Sequence, residues 1–389
     1  MTAAGTDEAI GPSARAALLA LALASFGIGM GEFVIVGLLP DIANNFHVGV
    51  PRAGLLISAY ALSVAFGSPF VAIALHRLPQ RDALMLLMAV FCGGNVACAV
   101  APDFYLLLVA RVITALAHGA FFGLGAVVAV QVVPAGKGAR AVALLFTGLT
   151  FANVVGVPAG SWIGQTWGWR TTFAIVTLIG ALSLAAIARW VTQSSDETAN
   201  NLKGELAALK SRPVWLALLT SAISSAGLFV LLTFLTPFLE HETGLSPHGA
   251  ALALLVFGLG LTAGGLVGGR ISNRRLLLAI RILLVLDAAI LFALAFLSVT
   301  PWTAMLGVFA WGTIAFALVP PLQTLVVTKA RDAPHLASTL NQSAFNLGDA
   351  AGAALGTQWL AHPFTYASLP LLAAVVAALA LIPALTNRN

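Results

Sequence analysis

Residues 14–40 read ARAALLALALASFGIGMGEFVIVGLLP, an apolar stretch whose only charged residues are Arg15 near its start and Glu32 within it. A helix of about 20 residues spans the hydrocarbon of a bilayer, so this stretch is long enough to cross it. Similar stretches fill the rest of the 389-residue chain, which is 60% hydrophobic and 8% charged, with a mean hydropathy of +0.98. Soluble proteins are about 25% charged, and a single soluble core could not bury so much apolar surface. The sequence therefore predicts an all-α membrane protein.

Apolar runs bounded by charge, proline or polar clusters predict twelve transmembrane helices. The predicted spans are 14–40, 51–75, 83–101, 104–132, 140–163, 171–191, 213–239, 248–269, 276–298, 302–328, 336–360 and 365–386. A hydrophilic stretch, residues 192–212, lies between the sixth and seventh spans. We therefore expect two pseudo-symmetric six-helix bundles, residues 1–191 and 213–389, joined by a cytoplasmic linker.

The distribution of Lys and Arg predicts how the helices are oriented in the membrane. If both termini are placed in the cytoplasm, all but three of the 19 Lys and Arg residues fall on that side. The exceptions are Arg52 and Arg170 on the outer side and Arg111 within a span. Because positive residues concentrate on the cytoplasmic side of membrane proteins, we expect both termini to be cytoplasmic.

Glycines at a four-residue spacing recur in the two halves. Span five carries such a series around Pro158, and span eleven repeats it 192 residues later. The glycines are Gly156, Gly160, Gly164, Gly348, Gly352 and Gly356. Small residues at this spacing let helices pack closely, and a proline bends a helix by removing a backbone hydrogen bond. We interpret Gly156, Pro158 and Gly160 as part of an interface that moves between two repeats; static helix packing is the alternative.

Ionisable side chains within the predicted spans are the strongest functional candidates, because they are costly in lipid unless they are paired or hydrated. They are Glu32, Arg111, His118, Asp287 and Asp349. Glu32 lies nine residues before Asp41, and Arg111 lies eight residues after Asp103. Both therefore lie about 12–13 Å below the outer surface. We predict that Glu32 carries a proton and that Arg111 modulates it; a fixed structural ion pair is the alternative.

The remaining ionisable residues each leave two roles open. His118 shares a helix face with Arg111, which suits a proton relay or substrate binding, or a hydrogen bond between helices. Asp287 stands alone in span nine and suits either a structural bond or proton transfer. Asp349 follows a polar band in span eleven and is interpreted as a substrate contact or a latch between the halves. The residues predicted to contact substrate are His118, Asn153, Asn341, Gln342 and Asn346.

Several short motifs carry a family resemblance. They are GMGEF (29–33), GLLPDIA (37–43), AGLLISAYA (53–61), Arg111 followed by HGAFFG (118–123), the glycine and proline residues of 148–164, and WGWR (167–170). Together they resemble the major facilitator superfamily in its twelve-span drug:proton antiporter branch, and within it the bacterial sugar- and arabinose-efflux-permease-like proteins. The resemblance covers roughly residues 15–386.

The resemblance implies transport by alternating access. Spans one, four, seven and ten would line a central cavity, and spans two, five, eight and eleven would form the seam between the halves. This places Glu32, Arg111 and His118 on the cavity wall and Asp349 on the seam.

The loop after span two departs from the pattern of the family, which is Asp-Arg-x-Gly-Arg. It reads HRLPQR (76–81), with a histidine in place of the aspartate and a proline in place of the glycine. The loop still carries Arg77 and Arg81, and we predict that they hold the inner gate.

These observations predict a proton-coupled exporter of a small organic solute of the drug, sugar or nucleoside class, acting as a monomer in the bacterial inner membrane. A proton-coupled uptake symporter and a passive facilitator or channel are the alternatives. The sequence has no GxxxxGK[ST] loop and no HExxH, CxxC or GxSxG motif. We therefore expect no enzyme activity, no cofactor or metal and no nucleic-acid partner.

Overall fold

Helices make up almost all of the part of the chain that the computed structural model describes, which comprises residues 11–75, 77–134, 138–192, 211–271, 276–330 and 334–387. The twelve helices of these residues are α1 (Pro12–Asn45), α2 (residues 50–75), α3 (Gln80–Val100), α4 (Phe104–Gln131), α5 (residues 138–167), α6 (Trp169–Trp190), α7 (Arg212–Leu232, continued by Leu235–Thr243), α8 (Pro247–Gly269), α9 (Leu276–Leu297), α10 (Pro301–Ala317, continued by Val319–Lys329), α11 (Pro334–Leu360) and α12 (residues 366–386). Apart from residues 192, 211 and 212, the predicted linker lies outside the described residues.

Eleven helices of the described residues are long and apolar enough to cross a membrane. The remaining helix, α11, has 27 residues and is long enough as well, but it carries the polar residues Asn341, Gln342, Asn346 and Asp349. The prediction of an all-helical membrane fold is therefore confirmed. The helix that is too polar to be recognised as a membrane span by its composition is α11, which carries the polar band.

Helix starts follow simple rules of local sequence. Pro12, Pro213, Pro247 and Pro301 each lie in the first turn of a helix, where the absence of a proline N–H costs nothing. Asp103 caps α4, because its carboxylate accepts hydrogen bonds from the backbone nitrogens of the second and third residues that follow it, each at 2.9 Å.

Several helices are interrupted inside the predicted spans. A π-helical turn covers Ser63–Gly67 in α2, and another covers Ala152–Gly156 in α5. The second turn ends two residues before Pro158, whose nitrogen cannot donate to the preceding turn. In α7 the helix breaks after Leu232 and resumes at Leu235, which the apolar pattern did not predict.

The two glycine series pack in corresponding ways. A Cβ atom on Gly160 would lie 2.7 Å from Met30 and 2.7 Å from Val34, both on α1. A Cβ atom on Gly352 would lie 2.2 Å from the carbonyl oxygen of Ala226 on α7. The fifth helix of each half therefore packs closely against the first helix of the same half.

The buried apolar side chains form cores that differ between the two ends of the molecule. At the end away from the chain termini, a single core, here called the shared core, contains residues of both halves. It includes Val34, Leu38, Ile57, Phe104, Phe229, Phe234, Leu254 and Trp311. At the end that carries the termini, each half has a core of its own, one around Leu21 and Phe121 and the other around Leu284 and Leu322. The halves are thus joined at the far end and packed separately at the end with the termini.

Candidate functional site

Arg111 is anchored in the interior of the first half, where it is 1% exposed. Its Nη1 donates to the carbonyl oxygen of Gly31 at 2.5 Å, and its Nη2 donates to the carbonyl oxygen of Glu32 at 3.1 Å. Its guanidinium carbon lies 4.1 Å from the centre of the Tyr60 ring, a cation–π contact. Arg111 therefore holds α4 against α1 and α2. The sequence suggested that Arg111 pairs with the carboxylate of Glu32, but in the structure it bonds the backbone carbonyl oxygen of that residue.

The carboxylate of Glu32 has a different neighbour. Its Oε2 lies 3.7 Å from Nδ1 of His118, and the Tyr60 hydroxyl lies 3.2 Å from the same nitrogen. His118 is 4% exposed, and the side chain of Glu32 is 12% exposed. The matched depth that the sequence predicted for Glu32 and Arg111 brings the two residues together, with His118 and Tyr60 completing the group.

A small cavity joins this group to the second half. Its lining includes Glu32, Tyr60 and Arg111 from the first half and Phe229 and Asp349 from the second. Asp349 accepts a hydrogen bond from the hydroxyl of Ser225 on α7. The Phe33 and Phe229 rings, with centroids 6.4 Å apart, pack across the same boundary. Two acidic side chains, one from each half, therefore line the same cavity.

The predicted polar band of α11 lies within the second half. Asn341 is fully buried and donates from Nδ2 to Oε1 of Gln323 on α10 at 2.6 Å. Asn346 donates to the backbone of Gln342 on its own helix, and Gln342 is exposed. The side-chain oxygens of Asn341 and Asn346 are buried without a hydrogen-bond partner. They are acceptors that remain free for another donor.

Asn153 lies on the seam between the halves. Its side chain donates to the carbonyl oxygen of Leu149 on its own helix at 3.1 Å. Its backbone lies close to α8, because a Cβ atom on Gly258 would come within 2.5 Å of the Asn153 carbonyl oxygen. The glycine face of the same helix, with Gly156 and Gly160, contacts α1. The seam is therefore formed by the Asn153 side of α5, with the glycine face turned into the first half.

Arg77 and Arg81, predicted to hold the inner gate, differ in their surroundings. Arg77 is exposed in the short connection after α2. Arg81 is half-buried at the start of α3 and donates to the carbonyl oxygen of Ala188 near the end of α6. Arg81 therefore ties two helices of the first half together at the end that carries the termini. Asp287 on α9 is buried, and neither of its carboxylate oxygens has a hydrogen-bond partner.

Contacts across the seam also close the far end. The rings of Trp162 on α5 and His248 on α8 have centroids 4.0 Å apart. Glu240, in the short segment Leu235–Thr243 beyond the membrane-crossing part of α7, is near Asp41 at the end of α1. Burial, together with the negative charge of Asp41, raises the pKa of Glu240 to about 7. Electrostatic repulsion between these two acids thus acts between the two halves at this end.

Tyr60, Ser225 and Phe229 were missed as site residues by sequence reasoning. Tyr60 lies inside the motif of residues 53–61, where an intramembrane tyrosine next to a predicted arginine site was an available signal. Ser225 and Phe229 gave no comparable signal, because serine and phenylalanine are common in membrane helices. Ser225 and Phe229 belong to the site because of the residues they contact on neighbouring helices, which are Asp349 and Phe33.

The twelve helices of the described residues, around a small cavity lined by an acid from each half and by Arg111 of the first half, define the class of a membrane transporter. A family model described as Major Facilitator Superfamily matches residues 21–353. The chain belongs to this superfamily, and it is a secondary transporter and not an enzyme.

Comparison with individual proteins agrees with this assignment. The chain is 42% identical over 365 residues to the inner membrane transport protein YdhP of Escherichia coli K12, covering 94% of each chain. It is 37% identical over 352 residues to a chloramphenicol resistance protein of Streptomyces lividans, covering 89% of each. Its fold is similar to the crystal structure of a bacterial homolog of the human lysosomal transporter Spinster in an inward-facing and occupied conformation. That similarity has a TM-score of 0.72 and 20% identity, over 97% of this chain and 94% of the other.

Proposed function

We propose that this transporter exports a small organic solute in exchange for protons and that Glu32 carries the proton. The observation that supports this most directly is the position of the Glu32 carboxylate. It is largely buried, it is not bonded by Arg111, and it lines a cavity to which both halves contribute. A buried carboxyl group that changes contacts when two bundles move is suited to binding a proton on one side and releasing it on the other.

Arg111 has a positioning role in this proposal. Its two backbone hydrogen bonds fix the turn of α1 that carries Glu32. Its positive charge also stays near the carboxylate without forming a direct pair. The carboxylate is therefore held in place while remaining free to exchange its proton. His118, whose Nδ1 lies 3.7 Å from the carboxylate, is a group that can share that proton.

We place the protein in the bacterial inner membrane as a monomer with both termini in the cytoplasm. The relative named as an inner membrane transport protein and the concentration of Lys and Arg on the side of the termini support this placement. In this orientation the shared core closes the outer side, and the separate cores lie toward the cytoplasm. The conformation is then inward-facing, and residues 1–191 and 213–389 are the two bodies that move.

The solute would enter between the halves from the cytoplasm. The buried acceptors of Asn341 and Asn346, with His118, Asn153 and Gln342, are the polar groups we assign to its binding. The relative named as a chloramphenicol resistance protein makes chloramphenicol the first solute to test within the drug, sugar and nucleoside classes. A membrane potential of 100 mV supplies about 2.3 kcal/mol per charge moved, so one proton can drive a modest solute gradient.

Reconstitution into liposomes containing a pH-sensitive dye tests the proposal. The solute is chosen by a thermal-shift screen of the purified protein that begins with chloramphenicol. When the solute is added outside, an antiporter makes the lumen more alkaline, because protons leave as solute enters. A symporter would make the lumen more acidic, and a passive facilitator would leave its pH unchanged.

The Glu32→Gln variant then identifies the proton carrier. We expect it to fold normally and to lose the part of the pH change that Glu32 carries. Glu242→Gln is the matched control, because Glu242 bonds the backbone nitrogen of Ala367 at the far end of the second half. It should retain the pH change. A full pH change in Glu32→Gln would remove Glu32 from the mechanism.

A further inference from the structure

Asp349 lines the same cavity as Glu32, a position that is not needed for a residue that only holds the two halves together. It is 8% exposed, it belongs to α11 of the second half, and it lines the cavity that also contains Glu32 of the first half. The structure therefore places the carboxyl groups of two different bundles in the lining of one small cavity.

The groups that face Asp349 come from four helices. Ser225 of α7 donates its hydroxyl hydrogen to the carboxylate. The other polar and ionisable groups of the lining are Glu32 of α1, Tyr60 of α2 and Arg111 of α4. The guanidinium of Arg111 donates to the α1 backbone and stacks on Tyr60. Among the described residues no cation forms an ion pair with Asp349, and the one ion pair in this group joins Glu32 to His118.

Elementary electrostatics limits how this pair of acids can ionise. Glu32 and Asp349 line the same small cavity, so their charges interact when both are ionised. Two like charges in a site of low dielectric constant repel strongly, so a proton on either carboxyl group removes the repulsion. Because each acid belongs to a different half, movement of the halves changes this repulsion, which it could not do if both acids were on one bundle.

We propose that Asp349 is a second proton-carrying group of the transporter and that it titrates together with Glu32 as one coupled pair. This rests on the proposed proton exchange at Glu32. Each carboxyl group takes up one proton from the outer side. On the cytoplasmic side the O–H bonds break, the protons pass to water, and the carboxylates remain. The repulsion between the carboxylates then favours separation of the halves at this level.

Infrared titration of the purified protein without solute tests the pairing. The C=O stretch of protonated carboxyl groups is followed from acidic to alkaline pH in the wild type and in single variants. We expect Asp349→Asn to lose one carboxyl signal and to shift the titration of Glu32 to lower pH by about one unit or more. Glu32→Gln should shift the titration of Asp349 in the same direction.

Two further variants serve as a control for the infrared titration and as a substitute for Asp349→Asn. Asp287→Asn, which changes a buried acid outside the cavity lining, should lose its own signal and leave the titration of the pair unchanged. Ser225→Ala keeps both acids and removes the donor to Asp349, so it should shift the titration of Asp349 to higher pH; it serves if Asp349→Asn does not fold. The proposal is overturned if removal of Asp349, or a shift of its titration by Ser225→Ala, leaves the pH titration of Glu32 as in the wild type.

Transport measurements separate this inference from the proposed function. We expect the wild type to exchange two protons per solute molecule in the liposome assay and Asp349→Asn to exchange one. Unchanged proton exchange in Glu32→Gln would contradict the proposed function itself. Unchanged proton exchange in Asp349→Asn, with exchange decreased in Glu32→Gln, would contradict only the second proton site.

Discussion

In the first half, Tyr60 on the second helix packs against Arg111 and His118 on the fourth, with the ring of His118 5.9 Å from that of Tyr60. In the second half, the corresponding helices bring Phe257 against Trp311, with ring centroids 5.0 Å apart. The same helix pair is therefore used for a charged group in one bundle and for apolar packing in the other.

The glycine series makes the comparison more specific. Gly160 faces Val34, and Gly352 faces Ala226, so both glycine and partner are displaced by the same 192 residues. The same displacement places Ser224 at the position of Glu32. Close packing of the helices is thus repeated in both halves, whereas the acid on the first helix is not. The two halves therefore share the close packing of their helices, whereas the ionisable residues of the cavity come mainly from the first half.

The largest effect is expected from Arg111→Lys, which changes the buried arginine that packs against Tyr60 in the first half. A lysine cannot donate a planar pair of hydrogen bonds to two carbonyl oxygens. We expect loss of transport and a decrease of about 3 kcal/mol in the free energy of unfolding, measured by thermal unfolding in detergent. Arg170→Lys is the control, since Arg170 makes similar bonds to Asn45 and Ala101 at the far end. Equal losses in both variants would show that the position of Arg111 is not special.

Alanine substitutions in the two glycine series test how closely their packing corresponds. In Gly352→Ala the added methyl group meets a backbone oxygen at 2.2 Å, which cannot move without shifting α7. We expect a loss of about 1–3 kcal/mol in unfolding free energy. In Gly160→Ala it meets side-chain atoms of Met30 and Val34, so the loss should be about 1 kcal/mol or less. Gly93→Ala, with no neighbour within 4 Å, is the control for the change of residue type. Equal losses in the two series would mean that α5 and α11 pack equally tightly.

Asp287→Asn tests a second equivalent position. The displacement of 192 residues relates Asp287 to Asn95, which is fully buried and donates to the carbonyl oxygen of Phe91 at 2.8 Å. An asparagine at position 287 can make the same bond within its helix. We expect unfolding free energy to change by less than about 1 kcal/mol and proton exchange to be unaffected. Lost exchange would assign Asp287 a role that the first half does not repeat.

The smallest effect concerns the contact between the halves at the far end. Because burial and Asp41 raise the pKa of Glu240 to about 7, the folded protein binds this proton more tightly than the unfolded chain does. Stability contributed by Glu240 is therefore full below the ordinary carboxyl pKa and falls as pH rises to about 7. We expect the melting temperature of the wild type to fall over this range relative to that of Glu240→Gln. Solvent screening at this half-buried position limits the effect to below about 1 kcal/mol. An equal pH dependence of the two melting temperatures would show that the pKa of Glu240 is not raised in the folded protein.

Much of the architecture could be predicted because its causes are local. The predicted first span, residues 14–40, lies inside α1 (Pro12–Asn45), and the predicted eighth, 248–269, nearly coincides with α8 (Pro247–Gly269). Both helices begin at prolines, and hydropathy along a single stretch of chain fixes that it crosses the membrane. The break after Leu232 was not predicted, because no proline or glycine marks it.

The sequence predicted the depth in the membrane at which Glu32 and Arg111 lie, but it did not predict which groups these residues contact. Counting residues from Asp41 and Asp103 placed Glu32 and Arg111 at the same level, which the structure bears out. Spacing along two helices gives no information on their rotation or distance from each other. It therefore could not show that Arg111 bonds the α1 backbone, that His118 faces the Glu32 carboxylate, or that Asp349 lies across the cavity.

The sequence by itself determined that this is a multi-span membrane protein with a duplicated pattern of helix packing, since apolar length and glycine spacing are properties of continuous segments. Only the tertiary structure decided which end of the molecule has a shared core and which acids share a cavity. Those features depend on how the two bundles are placed relative to each other, and contacts between residues far apart in the chain hold that placement.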